Sequence, residues 1–118
     1  MRKAVLVLAV GVSACAPGQS DRGNPARGEQ RFGEIGCNGC HTVAGVGGTV
    51  GPDLTRVASV PLREQERWSS PRAYLEESIR APQAYLVPGY PGDMPSAAQL
   101  GLSDPDIGDL VAYLLTLR

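Results

Sequence analysis

Cys37-Asn38-Gly39-Cys40-His41 sets two thiols three positions apart and follows them at once with an imidazole. No other stretch constrains the chain as strongly, because it takes up the single histidine and two of the three cysteines. Several chemistries could use such a group. A disulfide would need the cysteines and leave the histidine without a part. A structural zinc site needs four ligands, and no second C-x-x-C is present to supply them. A thioredoxin-like redox pair is expected near a βαβ pattern, whereas a helical pattern precedes this one.

The remaining chemistry uses all three side chains. C-x-x-C-H is the attachment signature for c-type haem. Thiols about one helical turn apart can both add to vinyl groups on one side of a porphyrin, and the next residue brings its imidazole up beneath the ring. The expected cofactor is one covalent haem c, attached through Cys37 and Cys40 with His41 on the iron.

The rest of the chain suits a fold built around such a group. Its length of 118 residues implies one domain. Asn24 as N-cap and Pro25 at the first helical position start a helix that runs to about Ile35. Phe32 and Ile35 are its large apolar residues, and Gly28 leaves a notch for a neighbouring helix. From Thr42 to Ser70 the residues show little periodicity and read as loop. Ser70-Pro71 starts a second helix of about ten residues, which Ala81-Pro82 ends. Val87 to Pro95 holds three prolines and two glycines and cannot be helical. Ser103 caps the last helix with Asp106 as its box partner, and Ile107, Leu110, Val111, Leu114 and Leu115 form one apolar stripe. The fold class is therefore all-α, with about three main helices and long loops. Helices this short with so few aromatics bury a poor core, and a small domain of that kind usually needs a staple.

The iron's second protein ligand comes by elimination. Beyond the leader there is no other histidine and no lysine, and Met94 is the remaining methionine. A lone methionine is most often core filler, but one set between Asp93 and Pro95 in a stiff loop suits ligation better. Ligation by Met94 closes the sixth position and disfavours oxygen or peroxide chemistry. The Pro52 carbonyl, in Gly51-Pro52-Asp53-Leu54, is the candidate acceptor for the second N–H of His41. The glycines at 45, 47, 48 and 51 lack the Gly-Lys-Ser/Thr of a phosphate loop. Trp68 and the pair Glu76–Glu77 read as loop packing against the haem and as surface charge.

Arg2, Lys3 and the apolar run Ala4 to Ala14 have the size and flanks of a signal peptide, assigned to residues 1–14. The run falls short of the ~20 residues that span a bilayer. Val12-Ser13-Ala14-Cys15 matches a lipobox, which would make Cys15 the lipidated first residue; Ala14-Cys15-Ala16 also fits conventional cleavage. Residues 15–24 read as a flexible tether ahead of a domain at 25–118. Without Arg2 and Lys3, nine arginines face twelve acidic residues, a net charge of −3. Nucleic-acid binding, which needs a clustered basic face, is not indicated.

Over roughly residues 26–118 the chain resembles a class I cytochrome c. The shared pattern is Gly28-x-x-x-Phe32 before CNGCH, then GPDL, a loop methionine followed by proline, and the closing LVAYLL. The resemblance implies N- and C-terminal helices crossing near Gly28, Phe32 and Tyr113, with haem between them and the loops. A narrower resemblance joins Tyr74 to Pro95 (YLEESIRAPQAYLVPGYPGDMP) to the cytochrome c domain of haem-copper oxidase subunit II. The chain lacks that family's membrane helices and copper domain, and Asp93 stands where an apolar residue is more usual. The resemblance implies a monomeric, monohaem one-electron carrier and not an enzyme. Its redox partner would be a terminal oxidase or the complex that feeds one, on the periplasmic side of a membrane that a lipid on Cys15 would hold. Alternatives are a haem subunit of a larger dehydrogenase, or an open-site enzyme or sensor should Met94 not bind iron.

Overall fold

Each helix starts where a polar side chain can replace a missing backbone partner. The computed structural model describes residues 22–59 and 67–118; the leader, Cys15 and most of the segment read as a tether lie outside these. Helix α1 spans Pro25–Glu34, and the Asn24 side chain accepts from the Arg27 N–H. Helix α2 spans Pro71–Arg80, with Ser70 accepting from the Ala73 N–H. Helix α3 spans Asp104–Leu114 and carries a full capping box between Ser103 and Asp106. All three have proline in the first turn, where its missing N–H removes no helical bond. The bounds lie within one residue of those read from the sequence, and the fold is all-α as expected. Among the described residues no helix is long and apolar enough to cross a membrane.

The long loop after the cysteine motif holds one element that the sequence reading missed. Strands β1 (Thr42–Val43) and β2 (Val46–Gly47) pair antiparallel, Thr42 opposite Gly47 and Val43 opposite Val46. Ala44 and Gly45 join them with φ of 50° and 78°, the left-handed pair a two-residue hairpin requires. Two residues per strand are too few to show alternation, and Ala-Gly is not the Asn-Gly that would have flagged the turn.

Helices α1 and α3 cross as the resemblance implied. A Cβ on Gly28 would lie 1.9 Å from the Asp109 carbonyl oxygen, so glycine sets how closely the helices approach. Beside that contact Phe32 meets Tyr113 edge-on, ring centroids 5.5 Å apart. Phe32, Leu75, Ile79, Ile107, Leu110 and Val111 belong to the core that all three helices share. Leu115, the last residue of the expected stripe, caps α3 and stays partly exposed.

Polar bridges tie the helices together at the rim of this core. The Arg27 guanidinium donates to both oxygens of Asp109, at 2.8 and 3.2 Å, and Arg31 reaches Asp106 at 2.9 Å. Arg80 joins α2 to Asp104 at 2.8 Å. Hydrogen bonding from Arg31 holds the Asp106 carboxyl at about 2, down from 3.8. Arg27 lowers that of Asp109 in the same way, against the opposing effect of burial. Both groups release their protons more readily in the folded chain than in the unfolded one. Their support is therefore full above about pH 4 and fades as the pH falls toward 2. Asp106→Asn is expected to be less stable than the parent at about pH 6, with the two denaturation midpoints converging near about pH 2. A gap that stayed constant with pH would refute this account.

Candidate haem site

The site begins where α1 ends. Gly36, at φ 79°, turns the chain into a short 3-10 helix, Cys37–Gly39. The Cys37 carbonyl then accepts from the N–H groups of both Cys40 (3.2 Å) and His41 (3.0 Å), which packs the motif into one tight turn. Both cysteines are free; Cys37 is half-buried and Cys40 exposed. Burial pushes the Cys37 thiol up, the opposite of the activated thiolate a redox nucleophile needs. Among the described residues no group of three or more His, Cys, Asp or Glu could hold a metal ion, so a zinc reading finds no ligand set.

The loop after the motif folds back over it. Gly48 donates to the Asn38 carbonyl at 2.9 Å, Gly51 to that of Cys40 at 2.7 Å, and Leu54 to that of Thr42 at 2.8 Å. A Cβ on Gly51 would stand 2.5 Å from His41 Cε1, so a glycine is what lets this loop lie flat against the imidazole. The Pro52 carbonyl oxygen then sits 2.7 Å from His41 Nδ1. A carbonyl can only accept, so Nδ1 carries the proton. In the neutral ring that leaves the lone pair on Nε2, the form in which imidazole binds a metal.

His41, Pro52 and Met94 line a cavity of about 450 Å³ whose other walls are largely apolar, with Leu54, Val57, Leu75, Ile79 and Leu114 among them. An adjoining cavity of about 150 Å³ is lined by Cys37 and Cys40, and again by His41, Pro52 and Met94. The structure thus gathers all five sequence-selected residues of the domain around one apolar space. Its size is that of a cofactor pocket. One imidazole and one thioether are the donor pair of a low-spin haem iron, and the two thiols stand on the rim where thioether bonds to a porphyrin would form. The residues fit the group.

Trp68 stands against the pocket as expected, whereas the roles of Glu77 behind it and of Asp109 at the helix crossing were not read from the sequence. Trp68 is buried on the cavity wall, edge-on to Tyr74 at 4.8 Å and Tyr85 at 4.9 Å between centroids. Glu77, read as surface charge, accepts from the Trp68 indole N–H at 3.2 Å and from Arg67 at 2.6 Å. Arg67 holds its carboxyl below the usual range. Asp109 is buried at the α1–α3 crossing and also accepts from the Asn24 backbone N–H at 2.6 Å. Contacts that bridge a loop and a helix, or the two ends of the chain, leave no periodic trace. The sole hint was that Glu77 follows Leu75 and precedes Ile79 on a half-buried helix.

A small helical domain that closes an apolar pocket around paired thiols, an imidazole and a thioether is a c-type haem protein. The family model described as Cytochrome c matches residues 25–118, and the chain belongs to that family. No curated protein matches it. Family membership makes the chain a haem-binding electron carrier with one covalent haem c; domains of this family are typically exported.

Proposed function

We propose that the chain is an exported, monohaem respiratory carrier in which Cys37 and Cys40 bind the porphyrin and His41 and Met94 ligate its iron. Haem c held in this way supplies a one-electron ferrous–ferric couple, its potential raised by the Met/His pair. The observation that carries the reading is the 2.7 Å contact between His41 Nδ1 and the Pro52 carbonyl, in a pocket that Met94 also lines. That contact orients the imidazole and selects the metal-binding tautomer. The apolar walls exclude water, and the short turn leaves Cys40 exposed at the edge.

The ferric protein should show the near-infrared sulfur-to-iron absorption band, and Met94→Ala should lose it. The same change should lower the reduction potential by roughly 0.2 V, a fraction of the ~0.8 V that axial ligands span. A band that persisted in Met94→Ala would overturn the ligand assignment.

The partner we propose is a haem-copper oxidase or the complex that feeds one, supported by the likeness of residues 74–95 to the oxidase-fused domain. Electrons would pass at the edge marked by Cys40. Residues 42–52 contain no charged side chain, and Val46 and Val50 are 73% and 55% exposed there. Docking on such a face is apolar and transient, so the rate with a purified oxidase should change little between low and high salt. A steep fall with salt would contradict it. Acylation of Cys15 would keep the carrier at its membrane, which intact-mass measurement of the native protein tests directly.

A further inference from the structure

The segment that presents Met94 has little to hold it. It leaves α2 at Ala81 and closes again where the Ala97 N–H donates to the Ile79 carbonyl at 3.0 Å. Pro88, Pro91 and Pro95 have no N–H to offer, and the backbone hydrogen bonds inside residues 87–95 are Tyr90 to Val87 and Asp93 to Pro91. One side chain reaches into residues 87–95 from outside them. Gln83, just past the end of α2, donates from its amide nitrogen to the Gly92 carbonyl at 2.6 Å and to the Met94 carbonyl at 3.3 Å. Arg67 holds the start of the segment through the Ala84 carbonyl at 3.1 Å, but among the described residues Gln83 alone donates a side-chain hydrogen bond into residues 87–95. The chemistry fixes which way the amide points, since its two N–H groups satisfy two carbonyls that its oxygen would repel. The fit is close: a Cβ on Gly92 would lie 2.2 Å from Gln83 Oε1.

We propose that Gln83 is the positioning residue for Met94. By bridging the carbonyl of the ligand residue and that of Gly92, it holds the methionine loop shut over the pocket and sets how readily another ligand takes the methionine's place. The inference rests on the reading above that Met94 ligates iron. Gln83 itself lines neither cavity and makes no hydrogen bond to the cysteine motif, so its removal leaves haem attachment and the α1–α3 core intact.

The test is titration of the ferric holoprotein with imidazole, which binds iron once the methionine leaves, monitored through loss of the sulfur-to-iron band. Gln83→Ala is expected to raise the apparent imidazole affinity about three- to tenfold, the size of effect that goes with one or two lost neutral hydrogen bonds. Gln83→Glu keeps the shape but offers no donor when ionised, and should raise the affinity at least as much at neutral pH. Gly92→Ala, which drives the amide aside without touching its chemistry, should shift affinity in the same direction. Covalent haem content should match the parent in both Gln83 variants. Parent-like affinity in Gln83→Ala, or in Gln83→Glu, overturns the proposal while the parent's band leaves the Met94 assignment standing. Absence of the band in the parent removes both.

Discussion

A chain in which Cys37 and Cys40 are both replaced by serine should release all its haem into acid-acetone, show no haem mass, and fail to hold its helices at 25 °C. Serine nearly matches cysteine in shape, so the substitution removes the thioether bonds and little else. The size of the pocket decides the consequence for the fold. A cavity of about 450 Å³ left unfilled corresponds, at ~24 cal/mol per Å³, to about 11 kcal/mol, an upper bound because an opened cavity admits water. A domain of this size is stable by only ~5–15 kcal/mol. The three helices, of 10, 10 and 11 residues, are too short to persist alone in water. Far-ultraviolet circular dichroism and the mass of the extracted protein check both halves. A colourless chain with native helix content would show that the core suffices without its prosthetic group. Haem surviving extraction would show that the attachment lies elsewhere.

Two glycines of α1 should respond to alanine with opposite signs. Alanine in a helix is ordinarily better than glycine by ~0.5–1 kcal/mol. At Gly33 a Cβ meets nothing within 4 Å, so Gly33→Ala is expected to stabilise the holoprotein by a few tenths to ~1 kcal/mol. At Gly28 the same atom would lie 1.9 Å from the Asp109 carbonyl oxygen and 2.8 Å from Tyr113 Cβ. Neither neighbour is the loose end of a side chain. The helices must separate, which strains the Phe32–Tyr113 ring pair and the Arg27–Asp109 bridge. Overpacking of this kind costs ~1–3 kcal/mol and outweighs the propensity gain, so Gly28→Ala is expected to destabilise by about 2–3 kcal/mol. Denaturant unfolding of both variants measures the contrast. Equal effects at the two positions would mean that α1 and α3 do not meet through Gly28.

Much of the fold was written locally. Asn24, Ser70 and Ser103 cap their helices because an Asn or Ser side chain can satisfy an N–H two or three residues ahead, a rule that needs no knowledge of the rest of the chain. The prolines just after these caps, and those of residues 87–95, act through their own rings. The candidate site was legible for a similar reason. The spacing of Cys37, Cys40 and His41 encodes a local shape, and the scarcity of histidine and methionine narrowed the second ligand to Met94.

The hairpin at Ala44-Gly45 escaped notice because its strands are shorter than the period that would reveal them. Glu77, Asp109 and Gln83 escaped because their roles depend on partners 9 to 85 residues away.

By itself, then, the order of residues determined where helices begin and end, which groups could meet a porphyrin, and that the domain needed something more than its own side chains at the centre. Tertiary structure alone decided which carboxylate sits buried against Arg27, how near α1 comes to α3, and which amide braces the methionine loop. Caps and ligand spacings are short-range and can be read from any isolated stretch of the sequence. Bridges between distant segments exist only after the chain has closed on itself, so no local pattern can announce them.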